Sequence, residues 1–293
     1  MLNTETPSSR HTDLDLYTAE ELVDAFVNDQ ADAVSAVRAA AAQIAAAVTA
    51  AVPRIKAGGR LVYVGAGTSG RLGVLDSVEL PPTFSWPKER AVAMLAGGQG
   101  AMFEAVEGAE DDTGLGLQDM QALEIGPLDV VLLLAASGAT PYVMGALYAA
   151  KSAGALTIGF ANNSDAPVSS AADIGITLDT GPEVISGSTR LKAGTSQKIA
   201  LNTFSSSLMV RLNKVYGNLM VDMKASNAKL LKRTVALTMH ATGADEQTAE
   251  RTLAACDHHV KVAIVAIIKQ VDADQAKALL DRFEGNVRFA LQS

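Results

Sequence analysis

Between residues 60 and 178 the chain repeats one pattern five times: a short, unbroken apolar run ends in small or polar residues and gives way to an amphipathic stretch. The runs are 60–65, 91–96, 129–136, 155–161 and 174–178. A strand with one face in water alternates apolar and polar side chains, whereas an unbroken run needs cover on both faces. Helical segments between the runs supply that cover. The pattern therefore predicts an α/β fold, a three-layer αβα sandwich around a mostly parallel sheet. Ligands of such sheets bind beyond the carboxyl ends of the strands, so functional residues are expected in the loops that follow the runs.

The flanks read differently. Residues 1–17 are polar and look like a loose N-terminal arm. Thr18-Ala-Glu-Glu21 then forms a capping-box signature, and Leu22, Phe26, Val34, Val37, Ile44 and Val48 follow at helical spacing. This alanine-rich stretch runs to about Lys56, with a kink expected at Pro53, and reads as a helical layer or a subunit contact. After residue 226 strand signals stop. Cap signals at Asp245 and Asp272 and turn signals at Gly243 and Gly285 predict a small helical domain. The expected parts are an arm (1–17), an α/β domain with N-terminal helices (18–225) and a helical domain (226–293).

Charge narrows the partners. With 24 Lys+Arg against 32 Asp+Glu the net charge is −8, which disfavours nucleic acid and anionic membranes as partners. No basic helix-turn-helix pattern occurs in the first 55 residues. An anionic ligand must instead be held by local devices such as backbone N–H groups at helix N-termini. A single cysteine, Cys256, excludes an intrachain disulfide. The polar start lacks a signal peptide, and the apolar run 39–52 is too short to cross a bilayer, so a cytoplasmic location is expected.

Two loops have the chemistry to hold a phosphate. Gly65-Ala-Gly-Thr-Ser-Gly70 follows one apolar run and matches the glycine spacing of a dinucleotide site. Such a site also needs an acidic residue after the next strand, where this chain has Gly97-Gly98-Gln99. A Walker lysine is absent as well. What remains is Gly67 with the hydroxyls of Thr68 and Ser69, suited to a compact dianion. Ala136-Ser-Gly-Ala-Thr-Pro141 repeats the device with Ser137, Gly138 and Thr140. The competing explanation is that these hydroxyls only cap the following helices. Cys256-Asp-His-His259 is a poor metal site, because adjacent histidines on a helix diverge by about 100°.

Longer motifs carry more information. Gly65-Ala-Gly-Thr-Ser-Gly-Arg-Leu-Gly73, Leu75-Asp-Ser-Val-Glu-Leu-Pro-Pro82, Glu107-Gly-Ala-Glu-Asp111, Gly181-Pro-Glu-Val-Ile-Ser-Gly-Ser-Thr-Arg-Leu-Lys192 and Gly217-Asn-Leu-Met-Val-Asp222 resemble the sugar-isomerase domain family, and within it the N-acetylmuramic acid 6-phosphate etherases. The resemblance runs from about Leu16 to the C-terminus. It implies cleavage of a D-lactyl ether by elimination and then hydration, with no cofactor and no metal, in a homodimer that recycles cell-wall sugar. Glucokinase regulatory proteins share the segment 181–192, so a non-catalytic phosphosugar sensor is the alternative.

By motif, the resemblance places the catalytic acid on Glu79 and the base for the C2 proton on Glu110. Glu79 is expected near the negative end of a helix begun at Ser69, which favours its protonated form. Glu110 stands among Glu104, Glu107, Asp111 and Asp112, whose charges strengthen a base. The resemblance further points to Ser186, Ser188 and Thr189 as contacts to the sugar or its phosphate and to Glu183 as a contact to sugar hydroxyls or an aid to ring opening. Arg190, Lys192 and Lys198 stay open between ligand contact, surface pairing and subunit contact. The helical tail resembles the ubiquitin-associated type of fold.

Overall fold

The computed structural model describes residues 2–223 and 228–293. Thr18 opens the first helix as its capping box requires: its hydroxyl accepts the Glu21 N–H at 3.3 Å, and the Glu21 carboxylate accepts the Thr18 N–H at 2.7 Å. Helix α1 (Ala19–Ala39) then meets α2 (Ala41–Lys56) at a bend of 53°. This corrects the kink expected at Pro53, which lies inside α2. The turn falls at buried Ala40, whose ψ of 7° redirects the chain while its N–H still reaches the Ala36 carbonyl.

The five apolar runs become β1 (Leu61–Gly65), β2 (Ala91–Leu95), β3 (Val130–Leu134), β4 (Leu156–Ala161) and β5 (Ile174–Thr177). They form one sheet in the order β2-β1-β3-β4-β5, and every pair is parallel. Between them run α3 (Gly67–Phe84), α4 (Thr113–Ala122), α5 (Pro141–Ser152) and α6 (Pro167–Ala171), and α7 (Lys192–Arg211) follows β5. The two faces of the sheet have separate cover. Val62, Val64, Val131 and Leu133 share a buried cluster with Met120 of α4 and Tyr142, Val143 and Leu147 of α5. Tyr63 and Leu134 point the other way, where Gly73 lets α3 close onto them. Alternate residues of one strand thus serve two helical layers, which is why the runs do not alternate in polarity.

Helix α3 runs on past Glu79, expected near its end, through Leu80-Pro81-Pro82. Prolines in its final turns remove only the donors for the Ser77 and Val78 carbonyls, and buried Leu80 and Phe84 hold the helix on to residue 84. Glu79 is therefore followed by more than a full helical turn. A dipole argument confined to the last turn no longer applies to it.

Contacts divide the chain into two compact units, Met1–Val78 with Lys88–Ser206 and Glu79–Pro87 with Ser207–Ser293. The second unit contains a hairpin the sequence did not announce, β6 (Val215–Tyr216) and β7 (Leu219–Met220), turning through Gly217 at φ +59°. Its helices are α8 (Ala228–Thr242), α9 (Glu246–Ala255), α10 (Val260–Lys269), α11 (Ala273–Arg282) and α12 (Val287–Gln292). Asp245 and Asp272 cap α9 and α11, and Leu253, Val260, Ile264, Leu280 and Val287 form the core. The domain boundary expected at 225/226 lies outside the described residues.

At the amino ends of the strands, Arg60 and Asp129 staple β1 to β3. The guanidinium donates to both carboxylate oxygens, at 3.1 and 2.8 Å, and the Arg60 and Gly126 N–H groups add bonds of 2.9 and 3.0 Å. Burial opposes the charge on Asp129, yet these donors hold its carboxyl below the ordinary range. A depressed carboxyl stabilises the fold above its unfolded value of about 4 and stops doing so as pH falls through the folded one. Asp129→Asn should cost about 3 kcal/mol near neutrality, because it leaves Arg60 without its counter-charge. Urea denaturation checks this: the gap between wild type and variant should narrow at pH 3, and a constant gap would contradict the assignment.

Candidate active site

β1 and β3 lie side by side in register, Gly65 opposite Leu134, so the loops that follow them start as neighbours. The next strand after β1 lies on one side and the next after β3 on the other, which makes this pair the switch point of the sheet. Glycine makes the first loop short. A methyl group on Gly65 would fall 2.6 Å from the Gly70 nitrogen, and one on Gly70 would fall 2.6 Å from the Gly65 carbonyl oxygen and 2.4 Å from Leu95. Helix α3 consequently begins against the strand end, with Gly67, Thr68 and Ser69 in its first turn. Backbone N–H groups there have no intrahelical acceptor and attract anions. The Thr68 and Ser69 hydroxyls make no hydrogen bond among the described residues.

The second loop folds over the end of β4. Gly138 adopts φ +81°, and a side chain there would run into Ala166 at 2.2 Å. Ser137 Oγ accepts the Ala139 N–H at 3.3 Å and lies 3.5 Å from the Thr140 hydroxyl. Thr140 stands at the N-cap of α5 yet makes no side-chain cap bond. Helix capping thus does not account for Thr140, and its hydroxyl stays available to a ligand.

Glu110 arrives beside this loop through helix packing. Methyl groups on Gly116 and Gly145 would fall 1.9 Å from the Tyr142 carbonyl oxygen and 2.0 Å from that of Thr113, so the starts of α4 and α5 touch backbone to backbone. The turn Ala109–Asp111 immediately precedes α4 and holds Glu110 exposed. Of its acidic neighbours, Asp112 is committed to capping α4, accepting the Leu115 N–H at 2.9 Å.

The third element is the segment 181–192. Glu183 is fully buried and its carboxylate accepts the Lys192 and Ala193 N–H groups, at 3.1 and 2.9 Å, which caps α7. Burial pushes its carboxyl up, and the two N–H groups only partly offset that. Lys192 is also fully buried, with its ammonium on Asp29 at 2.9 Å and Asp32 at 3.1 Å, while Arg190 and Lys198 are exposed. The hydroxyls of Ser186, Ser188 and Thr189 make no hydrogen bond among the described residues. A methyl on Gly194 would lie 3.2 Å from Thr68 Cγ2 and 3.3 Å from the Thr189 carbonyl oxygen, so the first and third elements meet. Glu79 is exposed on α3, in the stretch that belongs to the second compact unit. Among the described residues no three His, Cys, Asp or Glu side chains converge as a metal site.

Comparison with known proteins decides the family. The family model of the glucokinase regulatory protein N-terminal SIS domain matches residues 43–151, and that of the SIS domain matches 106–207. An N-acetylmuramic acid 6-phosphate etherase of Deinococcus radiodurans is 57% identical over 98% of this chain and 94% of its own length. One from Mycolicibacterium smegmatis is 48% identical over 99% of this chain and 97% of its own. The chain belongs to the N-acetylmuramic acid 6-phosphate etherase family.

In this member of the etherase family the sequence reading missed a set of residues that hold the loops. Asp29 occupies a buried position on α1 among Ala25, Ala33 and Ala36, and a carboxylate in the apolar face of a helix is a signal the sequence does contain. Asn162 and Asn163 close β4, where Asn162 bonds the Leu178 carbonyl and Ser196, at 2.9 and 2.8 Å. Tyr63, Asn202 and Ser205 all donate to the buried Asp76, at 2.8, 2.7 and 3.1 Å, tying β1, α3 and α7 together.

If the Thr140 hydroxyl serves a ligand rather than a cap, Thr140→Val should change stability by less than about 0.5 kcal/mol. It should weaken binding of a sugar phosphate by about fivefold to tenfold, the worth of one hydrogen bond. Thermal unfolding and titration calorimetry check the two halves. A large loss of stability with unchanged affinity would restore the capping explanation.

Proposed function

We propose that this chain cleaves the D-lactyl ether of N-acetylmuramic acid 6-phosphate with water, giving N-acetylglucosamine 6-phosphate and D-lactate, in the recycling of cell-wall sugar. Identity of 57% over nearly the whole length to an etherase carries this reading. The site supports it: two helix N-termini and uncommitted hydroxyls meet at the switch point of a chain with net charge −8, where bulk charge does not attract a phosphate. Gly67, Thr68, Ser69, Ser137, Gly138 and Thr140 surround the phosphate, and Ser186, Ser188 and Thr189 complete the sugar pocket. Glu183 acts indirectly here, by fixing the start of α7 beside Thr68 and Thr189.

In the elimination step Glu110 takes the C2 proton of the ring-opened aldehyde. The electron pair forms the C2–C3 double bond as the C3–O bond breaks, and Glu79 protonates the departing lactate oxygen. Water then adds at C3 and a proton returns to C2, so the sum of the two steps is hydrolysis of the ether. Both assignments follow the family motifs around these glutamates. Glu110→Gln should abolish exchange of the C2 hydrogen with deuterated water, and Glu79→Gln should retain exchange while D-lactate release falls by at least about a hundredfold. Equal exchange in the two variants would reject this division of labour.

The enzyme works in the cytoplasm as a homodimer. No single described helix is long and apolar enough to cross a membrane. Val23, Val27 and Val34 are exposed along one stripe of α1, at 64%, 65% and 51%, and such a stripe suits a subunit contact. Val27→Asp should lower the mass seen in sedimentation from dimer towards monomer, and an unchanged dimer would place the contact elsewhere.

A further inference from the structure

The expected loose arm is docked, and its docking points lie on the loops of the site. Residues Asn3–Glu5 form a 3-10 turn in which Thr4 is fully buried although most of its neighbours are exposed. The Thr4 N–H donates to Asn163 Oδ1 at 3.2 Å, and Asn163 Nδ2 donates to Thr4 Oγ1 and to the Ala136 carbonyl, each at 3.0 Å. An amide side chain has two N–H donors, and both are used. The Thr4 backbone N–H also fixes which way round the amide sits, so its remaining donor is aimed at Ala136, the residue just before Ser137. Asn3 reaches Asp179 beyond β5 at 3.4 Å, and the Glu5 carboxylate lies 3.1 Å from where a methyl on Gly187 would stand. Arg10 pins the far end of the arm to Asp29 and Asp32, both at 3.2 Å, the carboxylates that hold buried Lys192.

We propose that residues 3–10 are a strap that completes the phosphosugar pocket, and that Asn163 is a positioning residue which transmits the hold of Thr4 to the Ser137–Thr140 loop. The inference rests on the phosphosugar reading of the site. A contact that merely stabilised the fold would have no reason to converge on the second loop, the end of β4, the segment beyond β5 and the 186–188 loop together. Asn163, at the end of β4, bonds the arm and the second loop at once, and it is 2% exposed. With the Thr4 hydroxyl gone, one Nδ2 donor is left unpaired in a buried place, and Asn163 keeps only the backbone bond to the arm, so its hold on the Ala136 carbonyl loosens.

Two measurements test the strap. Thr4→Val keeps the side-chain shape and deletes the hydroxyl; KM for N-acetylmuramic acid 6-phosphate should rise by about fivefold to tenfold, the worth of one buried hydrogen bond, with kcat within about twofold. Thr4→Ser should restore KM. On the unmodified protein, saturating N-acetylglucosamine 6-phosphate should slow tryptic cleavage after Arg10, and N-acetylglucosamine at the same concentration should not. Calorimetry run beside the digestion separates the outcomes. Phosphosugar binding without protection at Arg10, or an unchanged KM in Thr4→Val, overturns the strap and leaves the function standing. Absence of any phosphosugar binding overturns both.

Discussion

The close approach of Gly65 and Gly70 is the contact on which the site depends. Because neither residue has a side chain, α3 starts directly from the end of β1, and its first N–H groups are delivered beside the loop that leaves β3. Any larger residue at either position would force helix and strand apart, since its Cβ would stand 2.6 Å from the backbone of the other element, well inside van der Waals contact. The same glycine spacing serves dinucleotide sites for the same steric reason. Here it places the hydroxyl residues Thr68 and Ser69, which we propose face a small dianion, at the helix start, and the Gly97-Gly98-Gln99 that follows β2 provides no acid for a ribose.

Around that contact, buried charge holds what hydrophobic packing alone would leave loose. Lys192 is an ammonium fully removed from water, and it is tolerable only because Asp29 and Asp32 neutralise it at 2.9 and 3.1 Å. Burial disfavours the charge on Asp32, but hydrogen bonds from Lys192 and Arg10 hold its carboxyl below the ordinary range. The Glu183 carboxylate, accepting the Lys192 and Ala193 N–H groups, closes the start of α7. The arm, α1, the 181–192 segment and α7 are thereby joined by ionic and capping bonds that fix position more sharply than apolar contact does. Such a network contributes geometry more than net stability, since burial of the ions offsets much of their attraction.

The sequence made the sheet legible because unbroken apolar runs have few structural solutions. All five strands fall within the runs read from it, and the two loops proposed to hold the phosphate start where two of those runs stop. What it hid was long-range or local in unexpected ways. Thr4 and Asn163 are 159 residues apart, and a threonine in a polar arm gives no sign that it will be buried. Helix α3 continued through Pro81 and Pro82 because buried side chains on either side of them, Leu80 and Phe84, outweighed the lost donors, a tertiary effect that local propensity does not register. The bend at Ala40 likewise carries no proline or glycine to mark it. Glu183 was visible as part of a shared motif, but its role as a cap depends on N–H groups nine and ten residues away. Asp29 was the one hidden member with a readable signal, a carboxylate on the buried stripe of a helix.

The central claim is that the loops after β1 and β3 hold the phosphate of a sugar through backbone N–H groups and hydroxyls. Amide hydrogen exchange of the intact protein, with and without N-acetylglucosamine 6-phosphate, tests it most directly. Exchange should slow at 67–70 and 137–140 with the phosphorylated sugar and stay unchanged there with N-acetylglucosamine. Slowing confined to other segments, with both loops unaffected at saturation, would contradict the account.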